Sequence, residues 1–308
     1  MTNHCHSSVS FILYSKFMNK LRYLILLTIV TLLLAQNKVV FSQGIIHPNK
    51  DIIDIHMHGV CTSEENGCYI SEAMRNSMFG IKFNLYAKAY TLSKQDIEEG
   101  NDWKAIAHLH ELVNRSQYIA SAVILALDGV YDENGLLDKS NTQVLISNEF
   151  ILKETSKYDN LLYGPSINPN RKDAISDLIQ AKEDGAKLIK WIPCVMQFDP
   201  AQPKYDEFYA TLVALDLPLL SHVGEEDSFA GSIDEYCDPL LLKRALEKGV
   251  KIIAPHLASR GEYHDETAYD RLQKLWERYP NLYSDNSATL LFNRDRNFLK
   301  EVNLDERV

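Results

Sequence analysis

Ile52-Ile53-Asp54-Ile55-His56-Met57-His58, followed by Gly59, is the stretch from which the fold of this chain can be read. It is a β-branched, apolar run, and alternate residues of a strand point to one face, so His56 and His58 project together. Two imidazoles on one side of a strand begin a metal-binding set. The plain alternative is two histidines that alternate by coincidence. If the strand belongs to a β/α barrel, its C-terminal end is where such folds carry their catalytic groups.

Working outward, short apolar runs recur between longer amphipathic segments, the pattern that yields parallel strands joined by helices. The strand candidates are residues 52–58, 119–127, 161–167, 187–192, 218–222, 251–256 and 282–285. Helical spacing of apolar residues predicts helices over 171–184, 205–215, 239–248 and 268–279, with Gly185 and Gly249 placed to end two of them. Residues 61–114 are too long for an ordinary connection and are expected to form an insertion or lid over the mouth of the fold. A helical candidate over 294–299 follows the seventh strand. The expected fold class is therefore α/β, a (β/α)8 barrel in one domain over residues 43–308. Its eighth strand is expected to be missing, as if the sequence were truncated before it.

Histidines recur at the predicted strand ends. His222 closes the run Leu217-Pro218-Leu219-Leu220-Ser221, and His256 closes Lys251-Ile252-Ile253-Ala254-Pro255. A single strand-end histidine is usually structural, but four at the ends of strands one, five and six form a constellation. Lys190 lies inside the apolar run Leu188-Ile189-Lys190-Trp191-Ile192, where a buried ammonium needs a partner or a lowered pKa. Three readings of it stay open: a lysine that binds substrate, a carbamylated lysine bridging two metals, and a snorkelling surface lysine. Asp285 ends the seventh strand and is either a pocket residue or part of a turn with Asn286 and Ser287. Glu225 and Glu226 follow His222 closely and are read either as facing the same mouth or as solvated loop charges, with Glu225 taken as a substrate-binding candidate. His108 and His110 sit two apart on a helical stretch and are read as structural.

The chain has 45% hydrophobic and 24% charged residues, a balance that fits a globular protein with a sizeable core. A formal net charge of −10 and the lack of a basic stripe argue against a nucleic-acid partner. Lys20 and Arg22 precede an apolar run over 24–35, and small residues at Val40 and Ser42 suit cleavage after Ser42. Residues 1–42 thus read as a signal peptide, with Met18 a possible true start, and the chain is expected to be exported to a periplasm or secreted. An uncleaved membrane anchor is the alternative. Export would permit disulfides among Cys61, Cys68, Cys194 and Cys237.

These motifs resemble the amidohydrolase superfamily, in particular its amidohydrolase-related, decarboxylase-like branch, over residues 51–308. Asp54-Ile55-His56-Met57-His58 looks like that family's first-strand HxH, 185–191 its fourth-strand Gly-x-x-x-x-Lys region, and Ser221-His222 and Pro255-His256 its fifth- and sixth-strand histidines. The resemblance implies that His56, His58 and His222 hold a divalent metal, most often zinc. It also implies that His256 orients the water or substrate or binds a second metal, while the reading of the residues themselves places Lys190 in catalysis or substrate binding and Glu225 and Asp285 toward the substrate. The implied reaction is attack of a metal-activated water on an amide, ester or lactone of a small molecule. Non-oxidative decarboxylation and a catalytically silent secreted barrel are the alternatives. The family's strand-eight aspartate has no counterpart here, and Asp285, on strand seven, is not promoted to it. A homo-oligomer is left open.

Overall fold

The computed structural model describes residues 50–76, 78–289 and 307–308, so the leader over 1–42 and the helix over 294–299 lie outside the described residues. Seven parallel strands appear where the apolar runs predict them, the first over the whole expected range and the other six shorter than expected. They are β1 (Ile52–His58), β2 (Ile119–Leu125), β3 (Leu161–Gly164), β4 (Ile189–Trp191), β5 (Leu219–Ser221), β6 (Ile252–Ala254) and β7 (Leu282–Ser284). β1, β2 and β3 form one sheet and β4 to β7 another, each strand beside its neighbour in sequence. A parallel bridge between Ser166 and Lys190 links the end of β3 to β4, and the Ser166 hydroxyl donates to the Lys190 carbonyl at 2.8 Å. The described residues thus form a mixed α/β fold whose parallel strands run in chain order.

Parallel neighbours require crossover connections, and helices supply most of them. α1 (Met78–Ala89) and α2 (Trp103–Arg115) lie between β1 and β2, and α3 (Asn148–Thr155) between β2 and β3. α4 (Ala174–Glu183) precedes β4, α5 (Asp206–Ala214) β5, α6 (Lys243–Glu247) β6 and α7 (Ala268–Trp276) β7. On α2 the buried residues Ala105, Ile106, Leu109 and Val113 make one stripe, and on α7 Ala268, Leu272 and Leu275 do the same. Thr267 caps α7 by accepting the Asp270 N–H at 3.1 Å, and Ser147 caps α3 by accepting that of Phe150 at 3.1 Å. Gly185 and Gly249 take positive φ (87° and 90°) just beyond α4 and α6, the conformation that favours glycine at a helix end.

α2 falls at the end of the segment expected as an insertion; its Ile106, Leu109 and Val113 belong to the same core as β2, and residues 61–102 precede it. That material is anchored at its base. A Cys61–Cys68 disulfide closes a small loop, and the wholly buried Asp102 carboxylate accepts the N–H groups of Thr62 (2.8 Å) and Ser63 (3.0 Å), the Thr62 hydroxyl (2.8 Å) and the Asn66 amide (2.9 Å). Above this base, Tyr69–Ile70 pairs antiparallel with Val144–Leu145 and α1 begins. A second disulfide, Cys194–Cys237, ties the segment after β4 to the segment after β5.

Candidate functional site

The C-terminal ends of β1, β4, β5, β6 and β7 bring together every histidine that the strand pattern singled out. β1 and β2 slip register between Asp54 and Met57, a bulge that falls on Ile55 and His56. Bulges re-aim side chains beside sites, and here the rings of His56 and His58 end 5.2 Å apart, centroid to centroid.

His56 is held from both sides. One ring nitrogen, Nδ1, lies 2.9 Å from Asp285 Oδ2 and 3.1 Å from Ser287 Oγ, while Nε2 lies 3.2 Å from the Lys190 ammonium. An ammonium only donates, so Nε2 carries the lone pair and Nδ1–H donates to Asp285. Burial, then Lys190, pulls the His56 pKa down against the opposing pull of Asp285. Burial, with Lys190 and the other histidines, holds His58 well below the usual imidazole range. Both are therefore neutral at pH 7, the form that ligates metals.

Lys190 is wholly buried, which removes the snorkelling reading. Burial lowers its pKa from 10.5 to about 8, opposed by Asp285 and Glu226. Burial works against ionisation of Asp285, but the hydrogen bonds from His56, the His256 N–H (2.8 Å) and Ser287 outweigh it and hold the carboxyl well below its ordinary range. Asp285 thus orients His56 from strand seven, and the same carboxylate fixes the backbone of His256. That backbone is strained: His256, Leu257 and Ala258 all take positive φ (45°, 54° and 47°), at roughly 1–2 kcal/mol for each non-glycine residue.

His222 follows β5, its N–H donating to the Trp191 carbonyl at 2.9 Å. Its Nδ1 stands 3.3 Å from His256 Nε2, and its Nε2 stands 3.6 Å from Glu226 Oε2. Glu226 therefore takes the place that the sequence gave to Glu225. The Glu225 carboxylate faces Arg260 at 3.6 Å, and its backbone N–H also bonds to Arg260, which turns the side chain away.

The expected metal triad is only partly assembled. Among the described residues, the one set of three donors with all ligand atoms within 4.8 Å is Cys194, His222 and Cys237, and its two sulfurs are joined to each other. The nitrogens of His56, His58 and His222 are spread more widely. The Lys190 ammonium stands at the lone pair of His56, while His256 and Glu226 flank His222. His56 nonetheless fits a metal by its chemistry, since Asp285 fixes its tautomer and a buried cation already stands at its Nε2.

A cavity of about 290 Å³ opens onto His58, His222 and Glu226. Neither His56 and His256 nor Lys190 and Asp285 line it; Lys190 and Asp285 instead contact His56. A larger cavity of about 420 Å³ beside Asp128, Tyr131 and Arg171 touches none of the histidines. There Asp128 is tied by the N–H groups of Gly129 (2.9 Å) and Asn168 (2.7 Å) and by the Tyr131 hydroxyl (2.9 Å), a structural anchor between β2 and β3. His110 packs on Tyr158 and bonds to Asn160, in keeping with a structural role. The sequence named Glu226, Ser287 and the two cysteines without assigning them to the site; the structure sets Glu226 beside His222, Ser287 on His56, and the disulfide against His222.

No family model matches the chain, and no curated protein does. Solved structures similar to it include 4-oxalomesaconate hydratase from Rhodopseudomonas palustris, at 14% identity and a TM-score of 0.42, covering 77% of this chain and 74% of that one. An IDCase from Metarhizium anisopliae matches at 11% identity and a TM-score of 0.41, covering 68% and 67%. A 2-pyrone-4,6-dicarboxylic acid hydrolase from Pseudomonas putida matches at 12% identity and a TM-score of 0.40, covering 75% and 67%.

Proposed function

We propose that this chain is a metal-dependent hydrolase on a β/α barrel frame, cleaving a C–N or C–O bond in an amide, ester or lactone of a small molecule. One observation carries the reading: His56, neutral and locked in one tautomer by Asp285, directs the lone pair of its Nε2 at a buried cation, the Lys190 ammonium. That is the arrangement a carboxylate-oriented metal ligand needs. His56, His58 and His222 are the residues that would hold a divalent ion, with zinc best suited to neutral imidazoles. Such an ion supplies Lewis acidity and a nucleophilic water near neutral pH.

The chain's own groups have separable tasks. Asp285 keeps His56 oriented and, through the His256 N–H, holds the strained turn that sets His256 beside His222. His256 is assigned to the oxygen on which charge develops as the carbonyl is attacked. Glu226, the carboxylate in the cavity nearest His222, is assigned to carry the proton to the leaving atom. Lys190 keeps a positive charge behind the histidines. Export is proposed with this activity, since two disulfides suit an oxidising compartment.

The test is to load the full chain with zinc and assay a panel of esters, lactones and amides alongside His56→Ala and His58→Ala. Hydrolysis that needs both zinc and the two histidines supports the reading. Zinc-independent hydrolysis, or carbon dioxide release from carboxylated substrates without hydrolysis, would overturn it.

A further inference from the structure

The cavity over the histidines has one polar end and an otherwise apolar wall. His58, His222 and Glu226 form the polar end, and the large side chains Phe83, Tyr86, Tyr90, Ile192 and Phe229 are among the residues that form the rest. Phe83, Tyr86 and Tyr90 come from α1 and the residue just after it, spaced three and four apart, so one face of the insertion is aimed at the site. Two polar groups of this wall, those of Tyr90 and Lys82, are already engaged. The Tyr90 hydroxyl donates to the His58 carbonyl at 2.9 Å, which leaves its ring rather than its oxygen for the cavity. The Lys82 ammonium donates to the Asp227 carbonyl at 2.7 Å, across the mouth.

We infer that this site takes a substrate built on one uncharged apolar ring, with its scissile ester, lactone or amide carbonyl at the His58 and His222 end; the inference rests on the hydrolase reading. Size decides against larger molecules. About 290 Å³ lies at the low end of ordinary ligand pockets, roughly 300–1,000 Å³, enough for a ring and a carbonyl group but not for an oligosaccharide or a peptide. Chemistry decides against sugars, because each hydroxyl pressed on these rings loses water without gaining a partner. It also decides against an anionic ring, since Glu226 carries negative charge into the cavity and Lys82 is turned to Asp227.

The experiment compares methyl phenylacetate, methyl acetate and gluconolactone on the full chain, measuring binding to the metal-free protein by ligand-observed NMR and turnover after zinc loading. Burial of the phenyl ring should make the aromatic ester bind roughly tenfold to a hundredfold more tightly than methyl acetate. Phe83→Ala and Phe229→Ala, checked for folding by circular dichroism, should each shrink that ratio by roughly tenfold. Equal binding of the two esters, no detectable binding of the aromatic one, tighter binding of gluconolactone, or an unchanged ratio in both folded variants would each overturn the inference. Preferential binding of the aromatic ester with no turnover by the zinc-loaded chain would overturn the hydrolase reading and leave the ring assignment standing. Turnover of both esters with equal kcat/KM would do the reverse.

Discussion

Lys190→Met is the substitution whose consequence can be worked out most fully. The Lys190 ammonium is buried beside neutral His56, and burial lowers its pKa from 10.5 to about 8. A depressed base favours its neutral form in the folded state. Below about pH 8 both folded and unfolded chains hold the proton, and the folded chain bears the full cost of burying it. Between about 8 and 10.5 the unfolded chain holds more protons, so stability rises with pH and the cost is gone above 10.5. At ~1.4 kcal/mol for each tenfold change in proton affinity, the gain across that window is about 3 kcal/mol. Lys190→Met should remove this rise. Because the hydrogen bond to His56 is lost as well, the slope rather than the absolute stability carries the test. Urea denaturation of the metal-free chain at pH 7 to 10 reads it directly, and subtraction of the variant's profile cancels the titration of tyrosines common to both. Parallel profiles for wild type and variant would refute the reasoning.

Asp285→Asn should lower zinc affinity by roughly 10- to 100-fold, the usual cost of losing a group that orients a ligand, as read by competition with a chromophoric chelator. Glu226→Gln should lower kcat by roughly 10²- to 10⁴-fold while zinc content is unchanged, the signature of a lost proton carrier. The Cys194→Ala/Cys237→Ala double variant opens a loop with a sequence separation of 43, which should cost about 4 kcal/mol by loop entropy. Calorimetry should then show a Tm roughly 8–15 °C lower for a chain of this size.

The strands were legible because strands buried on both faces read as apolar runs, and the amphipathic helices between them punctuate those runs. His56, His58, His222 and His256 were legible for a related reason: each stands where an apolar run ends, and the structure gathers them at one end of the sheets. What failed to show in the sequence depends on contacts between distant residues. Asp285 and His56 are 229 residues apart, and nothing local to Asp285 distinguishes a carboxylate that orients a histidine from one that caps a turn. Four cysteines allow three pairings, and only the fold selects Cys61 with Cys68 and Cys194 with Cys237. Glu225 and Glu226 differ in role because the bond from the Glu225 N–H to Arg260 fixes which of two adjacent carboxylates faces inward. The place of α2 in the core was hidden for a similar reason. α2 has an amphipathic stripe like any crossover helix, but its assignment to the core rests on packing against β2.

The most direct test of the metal-centred reading is the zinc content of the full chain, purified, stripped with chelator and reloaded, beside the His56→Ala/His58→Ala double variant. About one zinc bound per chain, lost in the folded double variant, is the expected result. Zinc bound equally by both, or by neither, would contradict the assignment of these histidines as metal ligands.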